Sequence, residues 1–173
     1  AVTGRPSSPW LTVCAVGLGA GALAMAGLLP ESLTVLDLGT GTGALLPLLG
    51  RYLADVIAVD GSRAMLLRAR ERLGSRDAGQ VRFLRAEVGR LPLPDASVDG
   101  VVANMILHHL GRPEAALREA ARVLRPGGRG VIVDFETHEE RWLLDEEGHL
   151  WAGFEPAQIA GWCVDAGLSV PAF

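Results

Sequence analysis

The sequence predicts an α/β fold, a mostly parallel sheet held between two layers of helices. Three observations predict it. Short apolar runs of strand length alternate with longer segments of helical spacing from Thr34 to Ala166. The first of these runs ends at a cluster of glycines, as a buried strand entering a tight turn does. Hydrophobic residues make up 49% of the chain and aromatics only 5%, so the composition is globular and the core is built from Leu, Val and Ala.

Each element has its own local cause. Thr34-Val-Leu-Asp-Leu38 is an apolar run stopped by glycine, hence a strand. Thr42 to Leu53 reads as the helix after it, and Val56 to Asp60 as the second strand. Ser62 is placed to cap a helix running to Leu73, with Arg63, Arg68, Arg70 and Arg72 mostly on its solvent side. Val81 to Arg85 alternates in pattern and reads as the third strand. The prolines of Leu91-Pro-Leu-Pro-Asp-Ala-Ser97 make a loop. Val98 to Asn104 is the fourth strand. Pro113 to Leu124 is a helix with proline in its first turn, stopped by Pro126-Gly-Gly128. Gly130 to Phe135 is the fifth strand, and Glu155 to Ala166 a last helix closed by Gly167.

In such a sheet, ligands sit beyond the carboxyl ends of the strands. That rule selects Asp37 to Gly43, Asp60, Ala86 to Val88, Asn104 to His109, and Asp134 to His138.

Composition excludes several chemistries. A length of 173 residues suits one domain. The net charge of −4 argues against a nucleic-acid-binding surface, which draws its affinity from basic phosphate contacts. All 16 basic residues are Arg, so within this chain no lysine can form a Schiff base, anchor pyridoxal or serve a phosphate-binding P-loop. Cys14 and Cys163 are far apart and form no CxxC, so neither a disulfide framework nor a structural zinc site is expected. That usage fits a cytoplasmic location.

Two regions differ from the rest. Residues 1–32 form an apolar N-terminal segment or cap, before a domain spanning 33–173. Trp10 to Pro30 carries no charge. It reads either as a segment packed before the first strand or as a membrane or export segment, with Ala24-Met25-Ala26 resembling a cleavage site. The Gly and Ala content weakens its apolar drive, and the residues after it read as a cytosolic enzyme. At the other end, residues 134–173 carry nine acids against the single Arg141. This is either a solvated acidic face or an acidic flap favouring a cationic substrate.

The first chemical signal is Asp37-Leu-Gly-Thr-Gly-Thr-Gly43. Glycines let the backbone turn sharply and let a ligand approach, and the helix after them offers free N–H groups to an anion. Gly39-x-Gly41-x-x-Ala44 also satisfies the dinucleotide pattern, with Asp60 placed 21 residues after Gly39 where a ribose acid belongs. NAD, FAD and S-adenosylmethionine therefore all remain open at this point.

The ordered segments resemble class I S-adenosylmethionine-dependent methyltransferases. Val35 to Gly43 resembles the first motif of that family, and Val56-Ile-Ala-Val-Asp60-Gly-Ser-Arg-Ala-Met65 the second. Arg85-Ala-Glu87-Val-Gly-Arg-Leu-Pro-Leu-Pro-Asp95 resembles the third, and Val101 to His109 the fourth. Leu117 to Gly130 is similar to the helix and turn before the fifth strand. The resemblance covers residues 33–168. A closer likeness lies in Phe135-Glu-Thr-His138, Glu140, Trp142 and Trp151-Ala-Gly-Phe154-Glu-Pro156, which is similar to methyltransferase domains fused behind ArsR-type regulators. Ubiquinone and menaquinone methyltransferases are more distant relatives.

The resemblance implies a Rossmann-like fold, S-adenosyl-L-methionine as cofactor and methyl transfer to a small-molecule acceptor. It implies that the backbone of Gly39, Thr40 and Gly41 lines the methionine moiety, with Gly43 in the same cofactor-binding loop, while Asp37 holds that loop, directly or through water to the ammonium group. Asp60 would take the ribose hydroxyls, and Gly61 and Met65 would flank the adenine. Glu87 would accept from the adenine amino group beside the Val88 N–H. The family more often has Asp at that position. A carbonyl around Asn104 would face the methionine ammonium. An adenine-pairing acid after the third strand separates this reading from NAD.

Transfer demands alignment first and a base only where the acceptor must lose a proton. His108 and His109 follow the fourth strand, where either is a candidate for that base or for orienting an acceptor oxygen, His108 before His109. Their other reading is packing at the start of the next helix. His138, Glu139, Glu140, Glu146, Glu147 and His149 fit no closed metal geometry by spacing, so no metal is expected. Trp142, Trp151 and Phe154 read either as a lid over the acceptor or as packing on the sheet.

The family pattern breaks at both ends. Its sheet has seven strands, and here the sixth could begin only at Leu168, leaving the C-terminal strand pair incomplete. An open edge on the fifth strand is expected to cost stability or invite a homodimer. The alternatives to an enzyme of this kind are a non-catalytic cofactor-binding or sensing module and a nicotinamide or flavin oxidoreductase.

Overall fold

The computed structural model describes residues 10–14, 33–52, 55–74 and 81–170. Its strands are β1 (Trp10–Cys14), β2 (Thr34–Leu38), β3 (Asp55–Asp60), β4 (Val81–Arg85), β5 (Val98–Asn104) and β6 (Leu124–Val133). Its helices are α1 (Leu46–Tyr52), α2 (Arg63–Leu73), α3 (Pro113–Val123), α4 (Arg141–Asp145) and α5 (Pro156–Asp165). One sheet runs β1-β6-β5-β2-β3-β4, with every neighbouring pair parallel.

Alternation along the strands creates two cores on opposite faces. Leu36, Leu38, Ile57 and Val59 point to one face, where Leu117 of α3 and Ile159 of α5 cover them. Val35, Val56, Ala58 and Val102 point to the other, beneath Leu46 and Leu49 of α1 and Ala69 of α2. The result is the three-layer α/β sandwich that the strand–helix alternation predicts.

The order of strands positions the site. From β2 the chain steps outward through β3 to β4, then returns to place β5 on the other flank of β2. A crevice opens at such a reversal, beyond the carboxyl ends of the strands on either side of it. The glycine loop after β2 and Asn104 at the end of β5 both lie there.

Three elements differ from the sequence expectation, β6 at both its ends. Helix α1 begins at Leu46, not Thr42, because Gly41 and Gly43 hold φ of +53° and +73° and keep residues 41–45 in turns. Helix α3 ends at Val123. Leu124 is already extended, at φ −66° and ψ 132°, and Pro126 disfavours helix at the residue before it. Pro126-Gly-Gly128 consequently belongs to β6, where a Cβ on Gly128 would stand 2.9 Å from the carbonyl oxygens of Arg125 and Asp99. The fifth predicted strand ends at Val133 rather than Phe135.

The edge of β6 is not open. Trp10–Cys14 pairs with it in parallel, from Trp10 opposite Arg129 to Cys14 opposite Val133. The expected homodimer loses that ground. The remainder of the uncharged N-terminal run, residues 15–30, lies outside the described residues. Among those described, no helix is long and apolar enough to cross a membrane. Leu168 packs in the core and donates its N–H to the Cys163 carbonyl at 2.9 Å, closing α5.

Candidate functional site

Three glycines of the loop after β2 have different duties. Gly39 has φ +75°, and a Cβ there would overlap the Ile106 side chain. A Cβ on Gly43 would stand 2.8 Å from the Cβ of Ala69, so this glycine lets the loop close on α2. Gly41 meets nothing within 4 Å, which leaves an open cradle above its backbone. Packing requires the first two. The third leaves room for a ligand.

Carboxylates at the strand ends anchor this loop. The N–H groups of Gly39 and Thr40 donate to the Val59 carbonyl at 2.9 and 2.8 Å. The Thr40 hydroxyl donates to the buried Asp37 carboxylate at 2.5 Å. Burial pushes the Asp37 carboxyl up to about 6, with the charge of Asp60 adding to the rise and the Thr40 bond opposing it. Asp60 accepts from the Gly41 N–H at 2.9 Å through one oxygen and from the Ser62 N–H at 2.8 Å through the other. Each carboxylate oxygen can accept a second bond, so both remain available to a pair of hydroxyls.

A second acid stands beside the first. The position of a Gly61 Cβ lies 3.4 Å from Oε1 of Glu87, so Gly61 and the exposed Glu87 face one another. The Ala86 N–H donates to the Asp60 carbonyl at 3.2 Å, which joins the ends of β3 and β4. The Val88 side chain is buried in the core. Met65 lies in the first turn of α2, 36% exposed, with its N–H accepted by the Ser62 hydroxyl.

Sequence reasoning missed what holds the 91–97 loop behind Glu87. Arg122 donates to the Leu91 and Leu93 carbonyls, to Asp95 and, through two nitrogens, to Glu119. Glu119 in turn accepts from the Leu91 N–H at 2.6 Å and is held below the usual carboxylate range by Arg122. Arginine in the last turn of a helix looks like a solvated charge in sequence, and only the fold brings the loop to it.

At the end of β5 the chain turns sharply. Met105 has φ +55° and donates its N–H to the Val133 carbonyl at 2.7 Å. A 3-10 turn over Leu107–His109 comes next. His108 is buried and its Nδ1 lies 2.6 Å from Oδ1 of Asp134. Asp134 also accepts from the N–H groups of Leu107 at 2.8 Å and Phe135 at 2.9 Å. His109 is exposed, with Nδ1 3.4 Å from the Gly148 carbonyl.

His149 arrives from 40 residues further along the chain and packs on this pair, with its ring centroid 4.1 Å from that of His108. The Leu150 N–H donates to the His108 carbonyl at 2.7 Å and ties the two segments together. Burial, together with the neighbouring imidazoles, holds His149 below the usual histidine range. Spacing alone groups His149 with the acids around it. The structure groups it with His108 and His109.

The aromatic residues divide. Phe154 is buried in the core and packs against Trp151 and Trp162, with centroids 5.5 and 5.7 Å away. The Trp151 indole N–H donates to the Leu110 carbonyl at 2.8 Å. Trp142 is half exposed and donates to Glu140 at 3.0 Å. Phe154 is therefore packing, not lid. The acidic segment borders a cleft of about 510 Å³ lined by His138, Glu139, Glu140, Leu144 and Ala152.

A family model described as a methyltransferase domain matches residues 36–132, more than half of the chain, and these residues contain the glycine loop, Asp60, Glu87 and both histidines of the turn. The chain belongs to the methyltransferase domain family. This methyltransferase domain is 38% identical to an arsenite methyltransferase of Halobacterium salinarum, over 69% of this chain and 31% of that protein. It is 41% identical to a demethylmenaquinone methyltransferase of Clavibacter sepedonicus, over 60% of this chain and 41% of the relative. Among solved structures, a SAM-dependent methyltransferase of Aquifex aeolicus superposes with a TM-score of 0.73 at 27% identity, covering 88% of this chain and 81% of that one. The methyltransferase domain spans less than half the length of either curated relative.

Proposed function

We propose that the chain binds S-adenosyl-L-methionine and moves its methyl group to a small-molecule acceptor. The open cradle at Gly41 beside the paired acceptor oxygens of Asp60 carries this reading. The residues fit the cofactor. Gly39, Thr40, Gly41 and Gly43 shape the wall for its methionine part, held in place by Asp37, with the Asn104 carbonyl facing the ammonium. Asp60 takes the two ribose hydroxyls. Gly61 and Met65 bound the adenine, and Glu87 accepts from its amino group beside the Val88 N–H. The cofactor supplies an activated methyl on a sulfonium, which an aligned nucleophile takes while the sulfonium becomes a thioether.

The histidine turn is the acceptor end. His108 and His109 take the acceptor's proton or orient its oxygen, and Asp134 positions the His108 ring. The relatives include an arsenite methyltransferase, which raises a metalloid acceptor. Cys163 lends it no support. Cys163 is fully buried, and burial pushes its thiol up to about 12, so it offers no thiolate. Imidazoles and nearby apolar rings suit an oxygen or carbon nucleophile better. The likeness of residues 135–156 to methyltransferase domains fused behind ArsR-type regulators supports methyl transfer, without bearing on the acceptor atom.

Calorimetric titration with S-adenosylhomocysteine, alongside NADH, tests the cofactor. Binding of the former alone is expected, and Glu87→Ala should weaken it about tenfold through one lost hydrogen bond. Binding of NADH alone, or no effect of Glu87→Ala, would overturn the assignment. Turnover on an acceptor panel separates an enzyme from a sensing module.

A further inference from the structure

His108, His109 and His149 converge at the acceptor end. One ring nitrogen from each lies within 4.8 Å of the other two. The His108 and His149 side chains are buried, while His109 faces solvent. Nδ1 of His149 is buried without a hydrogen-bond partner. Folded proteins rarely leave a buried ring nitrogen so, and packing alone does not account for it. Behind the other two rings stand acceptors. Asp134 lies 2.6 Å from Nδ1 of His108 and the Gly148 carbonyl 3.4 Å from Nδ1 of His109. With those nitrogens engaged, each ring turns its Nε2 lone pair elsewhere. A carboxylate or carbonyl behind an imidazole is what orients a metal-ligating histidine.

The geometry points to a divalent transition-metal site formed by His108, His109 and His149. Three neutral imidazoles suit zinc and its neighbours and not calcium or magnesium, which take oxygen ligands. Zinc–nitrogen bonds of about 2.0–2.1 Å require the three nitrogens to draw closer together, a movement that the exposed His109 side chain can supply. Three protein ligands leave a fourth position open, and His109 marks the side on which it meets solvent. That position suits an acceptor oxygen, a role that rests on the methyl-transfer reading. Binding of the metal does not rest on it. Of the two roles proposed for these histidines, metal binding is compatible with orienting an acceptor oxygen, since a coordinated lone pair takes no proton.

The test is titration of the chelator-treated chain with zinc chloride by calorimetry and with cobalt chloride by visible absorption, both without cofactor. One equivalent of metal and the cobalt spectrum of a low-coordinate nitrogen site are expected. His149→Ala and His109→Ala should each weaken binding at least 100-fold, and Asp134→Asn about 10- to 100-fold. Glu71→Gln, on α2, should leave it unchanged. If the buried His149→Ala fails to fold by circular dichroism, the exposed His109→Ala carries the same comparison. No stoichiometric metal in the wild type, or binding indifferent to both histidine variants, overturns the site. Titration with S-adenosylhomocysteine on the same sample keeps the two readings apart: its binding without zinc binding ends the metal site alone, and zinc binding without it ends the cofactor reading alone.

Discussion

Oδ1 of Asp134 lies 2.6 Å from Nδ1 of His108, and both side chains are buried. The same carboxylate accepts from the backbone N–H groups of Leu107 and Phe135. One residue thus aims the imidazole and closes the turn after β5. Asp134→Ala leaves two N–H donors and a ring nitrogen unpaired and should cost about 3 kcal/mol or more in urea denaturation. Asp134→Asn keeps an acceptor oxygen and should fold with a smaller loss. Its turnover with a responsive acceptor should still fall about 100-fold through misdirection of His108. Turnover unchanged in Asp134→Asn would show that the pair is only structural.

The glycine loop separates packing from binding. Gly41→Ala places a methyl group in open space at φ +53° and should cost only about 1–2 kcal/mol of stability. It should weaken S-adenosylhomocysteine at least tenfold by filling the cradle. Gly39→Ala drives a methyl group into Ile106 as well as straining the backbone. It should cost more stability than Gly41→Ala, by about 1–3 kcal/mol. Paired denaturation and calorimetry read both effects, and equal destabilisation by the two variants would contradict the assignment.

Asp37 makes stability depend on pH. Its carboxyl is raised to about 6 from an ordinary 3.8, so between these values the folded chain binds a proton that the unfolded chain releases. Stability therefore falls as pH rises through that window, by up to about 3 kcal/mol, and the loss is complete above it. Asp37→Asn should flatten this slope in a series of melts. The ammonium of S-adenosylhomocysteine favours the ionised carboxylate, so its affinity should rise as pH passes through the same window in the wild type and stay level in Asp37→Asn.

Arg122 secures the loop that comes after Glu87. Its planar fork reaches two backbone carbonyls and two carboxylates at once, which an ammonium cannot reproduce. Arg122→Lys should cost about 2 kcal/mol. Amide exchange in residues 91–97 should quicken in the same variant, measured by mass spectrometry. Unchanged protection there would show that the prolines alone hold the loop.

The strand–helix order, the glycine turn and the acids at the ends of the second and third strands were all legible in the residues alone. Each is a local property. Apolar runs of strand length bury themselves, Ser62 caps the helix whose first turn contains the Met65 N–H it accepts, and glycine is what a left-handed turn needs. Val81–Arg85 and Val98–Asn104 occupy the ranges that their patterns predict. Which distant residues meet was settled by the folded chain. Trp10–Cys14 lies far from β6 in sequence, and nothing in its uncharged surroundings marks it as the edge strand. Arg122 and the 91–97 loop meet because α3 packs beside that loop. His149 sits among acids in the chain, yet the Leu150 bond to the His108 carbonyl brings its ring onto the histidine turn. Periodicity and propensity act over a few residues, whereas these meetings depend on how sheet order and helix packing close the chain on itself.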